Sequence, residues 1–406
     1  MILLKNGRII ENNKLIKKDI LVDEKIIDIK DNISGDYEVI DLNGKLVMPG
    51  CVDVHVHFRE PGFINKETIK TGTMAAAKGG FTAVMPMPNL NPYPDNLEHL
   101  NVEMDIIKRD AIVDCYPYGT VTVGEKDVEA SKIAEMAPYL KAITDDGVGV
   151  NNLDLLESQM LIAKKYNLVI ASHAETLEGK YAPEGEYVAV RREIELAKKT
   201  GCKYHFCHMS TKESFEAIRK AQKEGYTNIT CEVAPHHLVL NEEMINGNPN
   251  FKMNPPLRSE ENRRATVEAL LDGTACMVAS DHAPHTEEEK SREYDKCPNG
   301  ILGLETMIPI IYTNFVKTGL IDLNRFQDIL INNPIKVFNL PKRSLNVGEV
   351  ADLIALDIDN EHLYTKEEIV SKGKNSPYIG NKYYGFNQLT IKNGKIIYNN
   401  LGGKHE

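Results

Sequence analysis

From about residue 50 onward, eight short apolar runs alternate with stretches of helical spacing. The runs are CVDVHVHF, FTAVMPMPN, AIVDCYPYGTV, YLKAIT, NLVIASHAE, YHFCHMS, NITCEVAP and ACMVASDHAPH. Between them stand segments such as TIKTGTMAAAKGG, LDLLESQMLIAKKYN, TKESFEAIRKAQKEG and ENRRATVEALLDGT, several running into a glycine that stops a helix. Repeated strand-then-helix units commit a chain to a parallel sheet, because a parallel neighbour is reached only through a crossover. Eight such units close into a (β/α)8 barrel, a domain of about 250 residues. The spacing therefore predicts an α/β protein with a TIM-type catalytic barrel over residues 50–342.

The two ends of the chain depart from that pattern and resemble each other. LLKNGRII and LTIKNGKIIYNN both set Asn-Gly between alternating apolar residues, a strong short hairpin signal, and VGEVADLIALD shares their β-rich character. Residues 1–49 and 343–406 are predicted to combine into a small β-sandwich-like domain. A net charge of −11 leaves no broad basic face for nucleic acid or an anionic membrane, which turns the reading toward small molecules. No apolar run approaches the roughly 18 residues that span a bilayer. Seven cysteines without a Cys-x-x-Cys pair read as small buried hydrophobes in a reducing compartment, so a cytoplasmic location is expected.

In VDVHVHFRE, strict strand alternation places Asp53, His55 and His57 on one face and Val52, Val54 and Val56 on the other. A lone histidine in an apolar strand is more often a hydrogen-bonded core residue than a ligand, so the other strands must decide. Catalytic groups in such barrels stand at the C-terminal strand ends. There the chain sets His55, His57 and Arg59, then Asn89, then Lys141 with Thr144, Asp145 and Asp146. His173 and Glu175, His205 and His208, His236 and His237, and finally Asp281, His282 and His285 continue the series. Four histidines and one or two acids converging on one mouth form the ligand set of a two-metal centre, most often zinc in hydrolytic work. His205 is out of phase with His208 and is expected to face the helix layer; His236 and His237 are expected to bond loop backbone, and His99 to be solvated. Asp53, deeper in the strand, is expected to orient a ligand imidazole.

VDVHVHFREPG, MPMPNLNP, TDDGVGV, ASHAE, CHMST, APHHL, FKMNPPLR and SDHAPH, in this order over the whole chain, resemble dihydroorotases of the bacterial and archaeal type, within the amidohydrolase superfamily. The resemblance implies that His55 and His57 bind a buried zinc ion and that His173 and His208 bind a second. Asp281 would touch the first metal and move protons. Arg59, Asn89 and His285 match positions that hold a substrate carboxylate, with Asn254 and the Asn299-Gly300 backbone on the ring. The bridging ligand has two candidates. Lys141 in YLKAIT stands where relatives carry a lysine carboxylated by carbon dioxide, and a bare ammonium would be repelled by two dications, so carboxylated Lys141 is favoured. If Lys141 turns outward, the bridge falls to Asp146 in TDDG.

The implied reaction is the reversible opening of L-dihydroorotate by water to N-carbamoyl-L-aspartate, a step of pyrimidine biosynthesis. Arg59 would supply specificity, since its planar fork matches a carboxylate that dihydrouracil lacks. SREYDKCPNGILG is expected to loop over the mouth. Rival expectations are a dihydropyrimidinase, hydantoinase or allantoinase, and a non-catalytic partner of another pyrimidine enzyme such as aspartate transcarbamoylase. Association with that enzyme is compatible with activity.

Overall fold

The structure, a computed structural model, describes residues 1–402. Five strands come first: β1 (Ile2–Glu11), β2 (Lys14–Val22), β3 (Ile26–Lys30), β4 (Glu38–Asp41) and β5 (Leu46–Pro49). Then follow β6 (Cys51–Val56), β7 (Phe81–Pro86), β8 (Asp114–Cys115), β9 (Ala142–Ile143), β10 (Val169–Ser172), β11 (Lys203–Phe206), β12 (Ile229–Val233) and β13 (Met277–Val278). These run parallel as the ladders β6-β7-β8 and β9-β10-β11-β12-β13. Parallel bridges from Gly119 to Ile143 and from Val56 to His282 join the ladders at both edges and close the barrel.

Helices between the strands begin at side-chain caps, as their sequences dictate. Thr68 makes a capping box ahead of Ile69–Gly79, and Asn152 and Ser259 cap Leu153–Lys165 and Glu260–Asp272. Two apolar layers result. Val56, Val84, Ile143, Ile170, Phe206 and Val278 face the helices. Val52, Val54, Ala83, Met85, Ala142, Val169, Ala171, Met277 and Ala279 fill the lumen with Tyr118 and Phe338. Small alanines leave room there for the two aromatic rings, which meet edge to face.

The first barrel strand does not alternate strictly. Asp53 pairs with Val84 but Val56 with Pro86, so three steps along β6 match two along β7. This bulge sends Val52 and Val54 into the lumen and Val56 to the helix layer, correcting the expectation that the three valines share a face. It also lets His55 follow Val54 inward.

The last strands are β14 (Leu353–Asp357), β15 (His362–Leu363), β16 (Lys382–Tyr383), β17 (Phe386–Lys392) and β18 (Lys395–Asn399). Both chain ends meet in one sheet, ordered β18-β17-β14-β5-β1-β2-β3 with β4 beside β1. Asn393 and Gly394, both at positive φ, turn β17 into β18 as their sequence suggests. Asn6-Gly7 does not make a hairpin. It forms a bulge inside β1, where a Cβ on Gly7 would meet Val47 at 2.9 Å, and the turn falls instead at Asn12 and Asn13. Asn387 and Thr390 of β17 donate to Ala77 O, tying the sheet to the end of helix Ile69–Gly79. Between β14 and β17 the chain leaves the sheet and packs Tyr364, Ile369 and Tyr378 against Met253, Leu257 and Ile301 at the barrel mouth. Among the described residues no helix is long and apolar enough to cross a membrane.

Candidate metal centre

Asp146 follows β9 and stands amid the histidines of other strands. One carboxylate oxygen lies 3.5 Å from His55 Nε2, 3.4 Å from His208 Nε2 and 3.9 Å from His173 Nδ1, and the other 3.5 Å from His57 Nε2. Asp281 approaches from the other side, 3.2 Å from His57 Nε2 and 3.5 Å from His55 Nε2. His173 and His208 lie 3.2 Å apart through their ring nitrogens. All six side chains are buried. The ligand atoms of His55, His57 and Asp281 fall within 4.8 Å of one another, as do those of His55, Asp146 and His208.

His55 Nε2 and Asp146 Oδ1 are buried with no hydrogen-bond partner among the described residues. Such atoms are costly to bury unless a further group takes up their lone pairs, and imidazole nitrogens with carboxylate oxygens are the donor set of a divalent cation such as zinc. The electrostatics agree. Burial opposes charge on Asp146, yet His55 and His208 hold its carboxyl well below the usual range. Burial also opposes charge on His55, but Asp146, Cys207 and Glu232 outweigh it and raise its pKa. The site favours positive charge at its centre, the charge a metal ion carries.

Lys141 is not in this cluster. It precedes β9 half-buried, on the face of Ile143, which belongs to the helix layer, while Asp146 lies in the turn beyond the strand. The favoured lysine therefore stands outside the cluster, and the other candidate, Asp146, stands at its centre. His205 also differs from expectation: it lies in the lumen with its ring edge-on to Phe338, 3.0 Å from Glu232. Asp53 accepts the backbone N–H groups of His55 and Ser280 rather than an imidazole, pinning the β6 bulge to β13's end. A carboxylate that does bond a cluster imidazole is Glu232, 2.9 Å from His55 Nδ1, and Glu175 lies 3.6 Å from His173 Nε2. A lone Glu in the apolar run NITCEV was its visible signal. His237 donates to Pro255 O as expected, His236 packs on His237 without such a bond, and His99 is half-exposed against Asp95. Asp145 accepts from Val121 and Thr122 and serves the loop, not the cluster.

A cavity of about 270 Å3 opens beside the cluster, lined by Arg59, Asn89, Tyr181, Asn254, Asn299 and Gly300 together with His57, Asp146 and Asp281. Arg59 sits at φ 63, half-buried with its Nε enclosed; among the described residues it has no ion-pair partner, and that Nε has no hydrogen-bond partner. Burial lowers its pKa, although Asp281 and Asp146 pull the other way. Asn89 donates to Asp146 O and to Glu125, a buried acid whose pKa burial and Asp145 raise well above the usual range. Asn254 lies 3.2 Å from His173 Nε2. His285 stands behind Arg59, at 3.4 Å, and its Nε2 donates to Asn299 O at 2.7 Å. Burial and then Arg59 push its pKa down to about 3, so it is neutral. Gly300 admits no Cβ, which would come within 2.8 Å of Ala283. Asn375, which sequence reading passed over, accepts from His285 N and donates to Ala283 O and Gly300 O. Its contacts span about 75 to 92 positions of sequence, so no local pattern marks it.

Among solved structures, the fold is similar to an L-hydantoinase from Arthrobacter aurescens, with a TM-score of 0.88 at 27% identity, covering 98% of this chain and 96% of that one. A D-hydantoinase from Thermus sp. gives 0.87 at 25% identity, over 99% and 96%. A barrel with a terminal β-domain and a His/Asp mouth defines a metal-dependent cyclic amidohydrolase. In sequence, the family described as Dihydro-orotase-like matches residues 44–182. A dihydroorotase of Fusobacterium nucleatum is 43% identical and one of Bacillus cereus 44% identical, each over 98% of both chains. The chain belongs to the dihydroorotase family.

Proposed function

We propose that this chain opens and closes the ring of L-dihydroorotate, interconverting it with N-carbamoyl-L-aspartate, and that it does so with two zinc ions. The observation that carries the substrate assignment is Arg59: a half-buried guanidinium that among the described residues has no carboxylate partner, at the wall of the cavity beside the histidine cluster. A charge left unpaired in such a place calls for an anion, and a planar fork suits a carboxylate.

His55, His57 and Asp281 would hold one ion, His173 and His208 the other, and Asp146 both. The geometry supports Asp146 in the bridging role over a carboxylated Lys141. When bound, divalent cations supply Lewis acidity for the amide carbonyl and lower the pKa of water. The chain's own groups do the rest. Arg59 orients the ring by its carboxylate, and Asn254 lines the cavity where the ring would lie. Asp281, at the cavity wall, accepts the proton of the attacking water and returns it to the ring nitrogen as the C–N bond breaks. His285 and Asn375 hold the Asn299-Gly300 backbone against the ring.

The nearest rivals, hydantoinases and dihydropyrimidinases, act on rings without that carboxylate. Assaying the zinc-loaded protein on dihydroorotate, dihydrouracil and allantoin tests the assignment. Turnover of dihydroorotate well above the others is expected; preference for a neutral ring would overturn it.

A further inference from the structure

Beneath the metal centre the lumen holds a second polar group that the reaction itself does not call for. Glu232 of β12, His205 of β11 and Thr230 of β12 share the inward faces of their strands, and the first two are fully buried. A carboxylate in the core of a barrel is expensive to desolvate, so its bonds identify its purpose. One oxygen of Glu232 lies 2.9 Å from His55 Nδ1 and also accepts the backbone N–H of His208 at 3.4 Å. The other lies 3.0 Å from His205 Nε2, and His205 Nδ1 lies 2.8 Å from Thr230 Oγ1.

A carboxylate only accepts hydrogen bonds, so both imidazoles must turn an N–H toward it. The neutral form of His55 then carries its hydrogen on Nδ1 and presents the Nε2 lone pair to the cluster, where among the described residues that atom has no hydrogen-bond partner. His205 carries its hydrogen on Nε2, and the Thr230 hydroxyl can donate to its Nδ1. The bond to His208 N also supports a residue whose φ of 33° lies in the left-handed region that a side chain disfavours. Phe338 packs edge-on to His205 at 5.1 Å, and Thr230 is half-buried at the outer end of this chain of bonds.

We infer that Glu232, braced by His205 and Thr230, is a positioning residue that fixes the tautomer of His55 and the backbone of His208, and through them sets the divalent-metal affinity of the centre. This rests on the metal-dependent reading above.

The test is zinc titration of the metal-free full chain against a chromophoric chelator, with imidazole NMR of the zinc-loaded, 15N-histidine-labelled protein. The unsubstituted chain is expected to bind zinc; if it binds none, the reading of the centre itself fails. Glu232→Gln should lose about ten- to a hundredfold in zinc affinity, the usual effect of removing a partner that orients a ligand, while Lys141→Met should keep the full affinity. The loaded chain should show a downfield, slowly exchanging His55 Nδ1–H resonance that Glu232→Gln removes. Unchanged affinity in a folded Glu232→Gln variant overturns the inference. So does a neutral His55 ring in the zinc-loaded unsubstituted chain whose one hydrogen is on Nε2, a measurement that decides the matter even if the variant does not fold.

Discussion

Replacing Arg59 by Met separates substrate recognition from metal binding and from folding. The guanidinium is half-buried at the cavity wall, and among the described residues it meets no carboxylate; its polar neighbour is His285 at 3.4 Å. A bidentate pair with the substrate carboxylate makes two charge-assisted hydrogen bonds of roughly 1.5–3 kcal/mol each, so losing both costs about 3–6 kcal/mol. At about 1.4 kcal/mol per tenfold, kcat/KM for dihydroorotate should fall roughly 10²- to 10⁴-fold. Steady-state kinetics in the ring-opening direction measure this, with metal content read in parallel by atomic absorption. Arg59 contributes no atom to the metal cluster, so zinc content should stay as it was. Removing an unpaired, partly desolvated charge should leave the melting temperature equal or slightly higher, because the fold no longer carries that desolvation. Dihydrouracil, which has no carboxylate, should lose nothing. Arg59→Lys keeps the charge without the fork and should fall between the two. A variant with kcat/KM on dihydroorotate within tenfold of the original would refute the assignment.

Three further outcomes are expected. Asp146→Asn should abolish tight zinc binding, whereas Lys141→Met should retain both zinc and activity; equilibrium dialysis compares them, and loss of zinc from the Lys141 variant alone would restore the lysine bridge. Glu103 is buried in helix Leu97–Asp110 with neither carboxylate oxygen partnered among the described residues, and burial raises its pKa well above the usual range. The fold therefore holds its proton more tightly than the unfolded chain does, and the stability tied to that proton is lost as pH rises above about 4.5. Glu103→Met should stabilise by about 1–3 kcal/mol, most at alkaline pH, and a lower melting temperature would count against it. His285, with its pKa pushed down to about 3, binds its proton less readily folded than unfolded. Its contribution is intact above about pH 6.5 and fades as pH falls toward 3, so melts of the metal-free protein should lose stability across that window less steeply in His285→Gln.

Period-two alternation, helix caps and the recurrence of strand and helix are written over a few neighbouring residues, and from them alone the barrel and the polar strand ends were legible. His55, His57, His173, His208 and Asp281 stood among those strand ends, since a strand's end can be located without knowing its neighbours, and the resemblance to dihydroorotases singled them out. Which way a side chain points is another matter. One extra residue between Asp53 and Val56 changes the facing of everything after it, and that bulge exists only because β6 pairs with β7. Lys141 falls on the helix-layer side of a two-residue strand bonded to β10, whereas Asp146 lies in the turn beyond it. Glu232 meets His55 across 177 positions and Asn375 meets His285 across 90, and no local pattern encodes either contact. The sequence by itself determined that a parallel barrel would gather imidazoles at its mouth. Only the tertiary structure decided which carboxylate lies among them and which one orients them, because register and ring closure are properties of paired strands and not of any one segment.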